Sequence, residues 1–284
     1  MKRPLDPLLL FLRRRQSALP RVGGIAVRRV GLFLLLAHAT TGRAALVEDE
    51  PPTVTPYRPS VSTPAALSVP GWLEVETGLA RVGGDGEAWR SSLPYTLKLA
   101  FTPDWGIRVG GEALVRAADD TGRSSTGFGD LSVVLKRRFE VSDHVAYGLE
   151  LGVSSPTARA ALHSGSGSTD YSLNAIYSAD IGAVHTDLNL MFTRVGTVAA
   201  GQGDTQALLA LAVSHNLNER WGLVGEFSGI RQVGVAHTAQ FLFASSYSPL
   251  AALTWDFGVA RGLSGASPRW SLFAGATFLL AKLY

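Results

Sequence analysis

The sequence predicts an all-β fold: a transmembrane antiparallel up-and-down β-barrel of about 12 strands, behind a signal peptide and a Pro-rich linker. Three observations carry this. From Gly71 onward, apolar and polar side chains alternate with period two in segments of about ten residues, the length a tilted strand needs to cross a bilayer. The connections between these segments alternate long and short. Charge is sparse, with Asp, Glu, Lys and Arg making up 17% of the chain against ~25% in soluble domains. Gly is abundant at 31 residues, and no apolar run approaches the ~20 residues of a membrane helix. The chain has no Cys, which excludes disulfide scaffolds, thiol catalysis and thiolate metal centres.

The first element is residues 1–44. Val30–Ala37 is an apolar run preceded by Arg28 and Arg29 and followed by the small-residue patterns Ala37-His38-Ala39 and Gly42-Arg43-Ala44. A basic flank, a short apolar core and a small-x-small site make a cleaved secretory signal peptide; a short buried helix is the alternative. A translation start at Val27 would put Val-Arg-Arg-Val directly before the apolar core. This segment carries nine of the 26 Lys and Arg but one acid, Asp6, so the rest of the chain has net charge −5. The basic pI of 9.3 therefore does not point to nucleic acid.

Residues 45–70 form the second element. Six of the 14 prolines fall between Pro51 and Pro70, among Thr and Ser. Such a stretch supports neither helix nor sheet ladder and reads as a solvated linker.

The third element, 71–284, is the barrel. Strands are expected near 71–81, 92–101, 105–116, 128–139, 144–154 and 169–181, then 184–194, 206–216, 220–231, 237–247, 250–260 and 270–280. Tyr147, Leu149, Leu151 and Val153 oppose Glu150, Gly152 and Ser154; Leu253, Trp255, Phe257 and Val259 oppose Thr254 and Asp256. The segment 237–247 alternates poorly. The hydrophilic faces are small residues rather than Lys and Glu, which suits an enclosed lumen better than a protein exterior. Connections such as 117–127, 155–168 and 232–236 are long, whereas 102–104, 182–183 and 248–249 are short. That is the pattern of extracellular loops and periplasmic turns, and it puts both termini on the periplasmic side. Backbone groups unpaired in lipid cost several kcal/mol each, so the sheet must close. Trp105, Tyr147, Trp221 and Trp255 each follow a polar tight turn and form a candidate aromatic girdle. Gly275–Leu280, with Tyr284 at the terminus, resembles the signal read by the outer-membrane assembly machinery.

Gly127-Phe-Gly-Asp130-Leu-Ser-Val-Val-Leu-Lys136-Arg-Arg-Phe139 resembles the MetA-pathway phenol-degradation family of outer-membrane proteins. A Gly-Asp pair, alternating apolar residues and a basic-aromatic strand end carry the resemblance, which extends loosely over 71–284. Arg137 stands where an aromatic would be more typical. The resemblance implies an outer-membrane barrel of a Gram-negative bacterium, a transporter for uptake of aromatic or other small compounds.

Parity assigns candidate lumen-lining charges. Glu74, Glu76, Lys98, Arg108, Glu112 and Arg116 come from the first three strands. Asp130, Lys136, Arg138 and Glu150 follow, then Asp170, Asp180, Asp187 and Asp256. Opposed basic and acidic walls would order water across a narrow lumen. Alternatively these groups pair into a network that braces the wall, with Glu74 and Glu76 reaching Lys98 and Arg108. The expected function is a passive channel or uptake pore for small compounds, aromatic ones included. A sealed structural or lipid-binding barrel is the alternative, and a lipid hydrolase the third reading. For the hydrolase, His163 with Ser164 or Ser166, and His215 with Ser214, are the candidate pairs; neither shows a third group orienting the base. No cofactor and no metal-ligand spacing is read. The expected partners are outer-membrane lipids, the barrel-assembly machinery and a small-molecule solute.

Overall fold

A computed structural model describes residues 51–83, 88–119, 121–158 and 166–284. The signal-peptide reading of 1–44 lies outside these residues. Successive strands are β1 (Trp72–Gly83), β2 (Trp89–Ala100), β3 (Trp105–Ala118), β4 (Ser124–Gly127), β5 (Leu131–Ser142), β6 (Val145–Ser155) and β7 (Asp170–Ile181). They continue as β8 (Val184–Arg194), β9 (Thr205–Asn216), β10 (Trp221–Gln232), β11 (Val235–Leu250), β12 (Leu253–Gly262) and β13 (Trp270–Lys282).

Each strand pairs antiparallel with its neighbours, and β1 pairs with β13 from Trp72↔Lys282 to Gly83↔Trp270. The sheet therefore closes into a 12-strand barrel. β4 is a four-residue extension beside the end of β3, not a stave of the wall. Connections 101–104, 143–144, 182–183, 217–220 and 251–252 gather at one end, together with the start of β1 and the end of β13. We call this the short-turn end and the opposite one the long-loop end.

The alternation places apolar side chains outside. Leu151, Leu173, Leu190, Leu209, Phe227, Phe243 and Phe257 leave between 42% and 54% of their surface exposed. The largest fully buried side chains include Lys98, Lys136, Glu74, Glu226, Asn189 and Asp256. This inverts the partition of a water-soluble protein.

Three features depart from the sequence reading. The connection expected at 232–236 is the two-residue turn Val233–Gly234, made possible by Gly234 at φ 72°. β11, where alternation is poor, is the longest strand at 16 residues. Its inward Leu242 and Ala244 pack with Ala260, Val224 and Phe273, so both faces are apolar over that middle stretch. Finally, 51–70 is not a solvated linker: Val54, Tyr57, Ser62, Ala65 and Ser68 are buried inside the barrel.

Candidate functional site: the occupied lumen

Residues 51–70 enter at the short-turn end, where Val54 N donates to Ala251 O at 2.9 Å. The outgoing arm runs along β1, with Thr55 N donating to Glu74 Oε2 (3.0 Å) and Tyr57 N to Glu76 Oε1 (2.7 Å). Arg58 then crosses to Asp256 on β12, its Nε 3.2 Å from Oδ2. Ser62 donates from both N and Oγ to Glu226 Oε2 on β10, at 2.8 and 2.9 Å. Thr63 N donates to Asn189 Oδ1 (3.1 Å), and Asn189 Nδ2 returns a bond to Thr63 O (2.9 Å).

The returning arm passes Ser178 on β7, whose Oγ accepts from Ala65 N at 2.7 Å. Tyr57 OH donates to Ala66 O (2.6 Å) and Thr55 Oγ1 to Leu67 O (3.2 Å), which closes the loop on itself. Gly71 N donates to Ala100 O at 3.1 Å, and β1 begins. Counting Lys98, Lys136 and Glu150, this loop makes polar contacts with eight of the twelve staves.

Two cationic clusters anchor it. Lys98 Nζ lies 2.5 Å from Glu74 Oε1 and 2.6 Å from Glu76 Oε1, and donates to Thr55 O. Lys136 Nζ donates to Pro64 O and to Tyr57 OH (3.3 Å), and lies 3.3 Å from Glu150 Oε1. Arg108 meets Glu150 rather than the β1 carboxylates, at 2.9 Å. The Tyr57 ring centroid lies 4.0 Å from the Lys98 ammonium and 4.4 Å from that of Lys136, so one aromatic ring serves both. Burying this much charge is tolerable because each member is paired.

The remaining sequence candidates are placed as follows. Glu112 makes a bidentate pair with Arg90, at 2.7 and 2.5 Å, nearer the long-loop end. Arg138 pairs with Glu140 at 2.8 Å. Asp130 does not line the wall; it accepts from Ala158 N and Ser166 N and holds the connection after β6. The Gly-Phe-Gly-Asp motif accordingly ends β4 at Gly127 and links it to β5 through 128–130, with Phe128 69% exposed. Asp170 accepts from Gly196 N at 2.9 Å. Asp180 is exposed beside His185 Nδ1 (2.6 Å), while Asp187 meets His185 Nε2 (3.1 Å) and accepts from Ser178 Oγ.

Arg116 points outward, against expectation. The register between β2 and β3 shifts between Ser92 and Pro94. Pro94 has no N–H to give the ladder, and a bulge flips the faces beyond it. Val115 is buried at 2% and Arg116 is exposed.

Tyr57, Arg58, Glu226, Asn189 and Arg90 belong to the lumen and were not read from the sequence. Glu226 was accessible by parity, since it shares a face with Gly222, Val224 and Ser228. Trp105, Tyr147, Trp221 and Trp255 all lie outside at the short-turn end, between 37% and 48% exposed. Of the Ser/His pairs, His163 and Ser164 lie outside the described residues. Ser214 pairs in register with Val224 and His215 with Leu223, so pleating sends them to opposite faces.

Nearer the long-loop end, Gln206, Gln240, Ser132, Ser228 and Ile230 continue the inward parity, with Arg90–Glu112 as a charged pair among them. At the short-turn end a cavity of about 550 Å³ opens between Thr53, Val54, Asn218, Arg220 and Thr254.

No protein-family model matches the chain, and no curated protein matches it in sequence. Solved structures share its fold. A COG4313 outer membrane channel from Pseudomonas putida F1 superposes with a TM-score of 0.58 at 14% identity, over 76% of this chain and 98% of that one. The NanC porin gives 0.52 at 9% identity, over 74% and 100%. The KdgM porin gives 0.51 at 10%, over 73% and 99%.

Proposed function

We propose that this chain is an integral outer-membrane barrel that admits small solutes, with residues 51–70 controlling its lumen. The observation that carries the reading is the inverted partition: a closed wall, oily outside and polar within. The likeness to channels and porins supports the same architecture. Short turns face the periplasm and long loops the exterior in this reading, with 1–44 acting as a cleaved export signal and the assembly machinery inserting the barrel.

Small aromatic compounds are the finer proposal. They rest on the resemblance around Gly127–Phe139 and on the low charge of the lumen above the 51–70 loop. Neutral solutes meet little electrostatic barrier there.

The number of bonds between the loop and the wall favours one second reading, a permanently sealed structural barrel. Planar-bilayer conductance separates the two. Ala65 is 0% exposed and packs against Ala146 and Ile176, so Ala65→Phe has no room and must displace the loop. A channel is expected to conduct more in Ala65→Phe than in the unmodified chain, with swelling of proteoliposomes by small solutes. Absence of conductance in both would leave the sealed barrel.

A further inference from the structure

We infer that the outer face of β1–β3 at the long-loop end binds a phosphorylated lipid headgroup. Arg81 and Arg116 both project from the lipid-facing side there, joined by one indole. The Arg81 Cζ lies 4.6 Å and the Arg116 Cζ 5.7 Å from the Trp89 ring. Register confirms a common face, since Ser91 pairs with both Arg81 and Arg116. Both arginines are exposed.

Neither guanidinium forms an ion pair among the described residues; Arg81 donates only to Ser91 Oγ, at 3.2 Å. Arg137, over Trp105 and Phe139 at the opposite end, also has no ion pair among the described residues, but it is single, whereas several other arginines are paired. Arg58, Arg90, Arg108 and Arg138 each meet a carboxylate, and the outward Arg194 meets Asp204. Two cations on one ring, without a carboxylate partner among the described residues and at the edge of an apolar wall, suit an anion supplied by the surroundings.

The surface beneath fixes its class. Leu79, one outward step down β1, is 62% exposed, and Leu272, paired with Arg81 across the β13 seam, is 50% exposed. A ligand that satisfies both parts is an anionic head on acyl chains. Phosphate oxygens match the planar donors of guanidinium, and the indole holds those donors in place. One strand row along, Arg261 pairs in register with Trp270, which in turn pairs with Gly83. The basic-aromatic theme thus continues along the rim. An outward Arg costs ~2–4 kcal/mol at the bilayer centre but ~0–1 near the interface, which suits a headgroup level.

This inference rests on the membrane reading above. The test uses the full chain in detergent, offered bisphosphorylated lipid A and followed by native mass spectrometry. The unmodified protein is expected to retain the lipid with about tenfold or greater preference over Arg81→Ala/Arg116→Ala. Arg137→Ala, which removes the outward arginine over Trp105 at the opposite end (4.8 Å), is expected to bind as the unmodified chain does. Dephosphorylated lipid A is expected to bind weakly, and millimolar inorganic phosphate to leave the lipid in place.

Equal retention by the double variant would overturn the inference, as would equal loss in Arg137→Ala or displacement by phosphate alone. Heat-modifiable gel migration of each variant reports barrel folding. A well-folded barrel without lipid preference defeats this inference alone, whereas a chain that folds free of detergent defeats the membrane reading.

Discussion

Lys98 holds two carboxylates, a backbone carbonyl and an aromatic ring of the lumenal loop at once. Its removal leaves Glu74 and Glu76 buried without a cation. Lys98→Met is expected to destabilise the folded barrel by ~3–5 kcal/mol in urea unfolding. The triple change Lys98→Met/Glu74→Gln/Glu76→Gln is expected to recover most of that, because removing all the charges together removes the desolvation penalty as well. A triple variant as unstable as the single one would show that the cluster does not act through charge pairing. At this scale Glu74, Glu76, Lys98, Glu150 and Asp256 are buried, on the face to which parity assigns them. Arg116 departs from parity because β3 carries an extra residue between Glu112 and Val115, opposite Ser92–Pro94, and local sequence does not announce which strand absorbs a bulge.

The element least legible in advance was 51–70. A run of Pro, Thr and Ser suits solvent, and it equally suits a lumen whose wall offers carboxylates, amides and ammoniums. Composition alone does not distinguish the two surroundings; the partners that do, such as Glu226 and Asn189, lie more than 120 residues away. The strands were the legible elements, because period two is local. Where they drift, as at 128–139 against the observed Leu131–Ser142, the expected strand takes in Phe128-Gly-Asp130, which is the link before it. Seating of the lumenal loop has its own test. Glu226→Ala leaves the Ser62 N–H and hydroxyl without their acceptor, and is expected to cost ~1–3 kcal/mol. It should also speed protease cleavage within 51–70 while the barrel keeps its heat-modifiable migration. Unchanged cleavage would mean that Glu226 does not hold the loop.

At the scale of the whole molecule, closure follows from chemistry more than from any one residue. Twelve staves expose outside the apolar side chains that a water-soluble protein buries, and the β1–β13 pairing leaves no edge. The most direct measurement is electron-spin-label accessibility along β8. The chain has no Cys, so single cysteines can be placed at 188, 190–193 without background. In reconstituted vesicles, labels at Leu188, Leu190 and Phe192 are expected to collide freely with oxygen and poorly with a water-soluble nickel chelate. Labels at Met191 and Thr193 are expected to show the reverse. Equal nickel access at all five positions, or oxygen maxima at 191 and 193, would contradict the account.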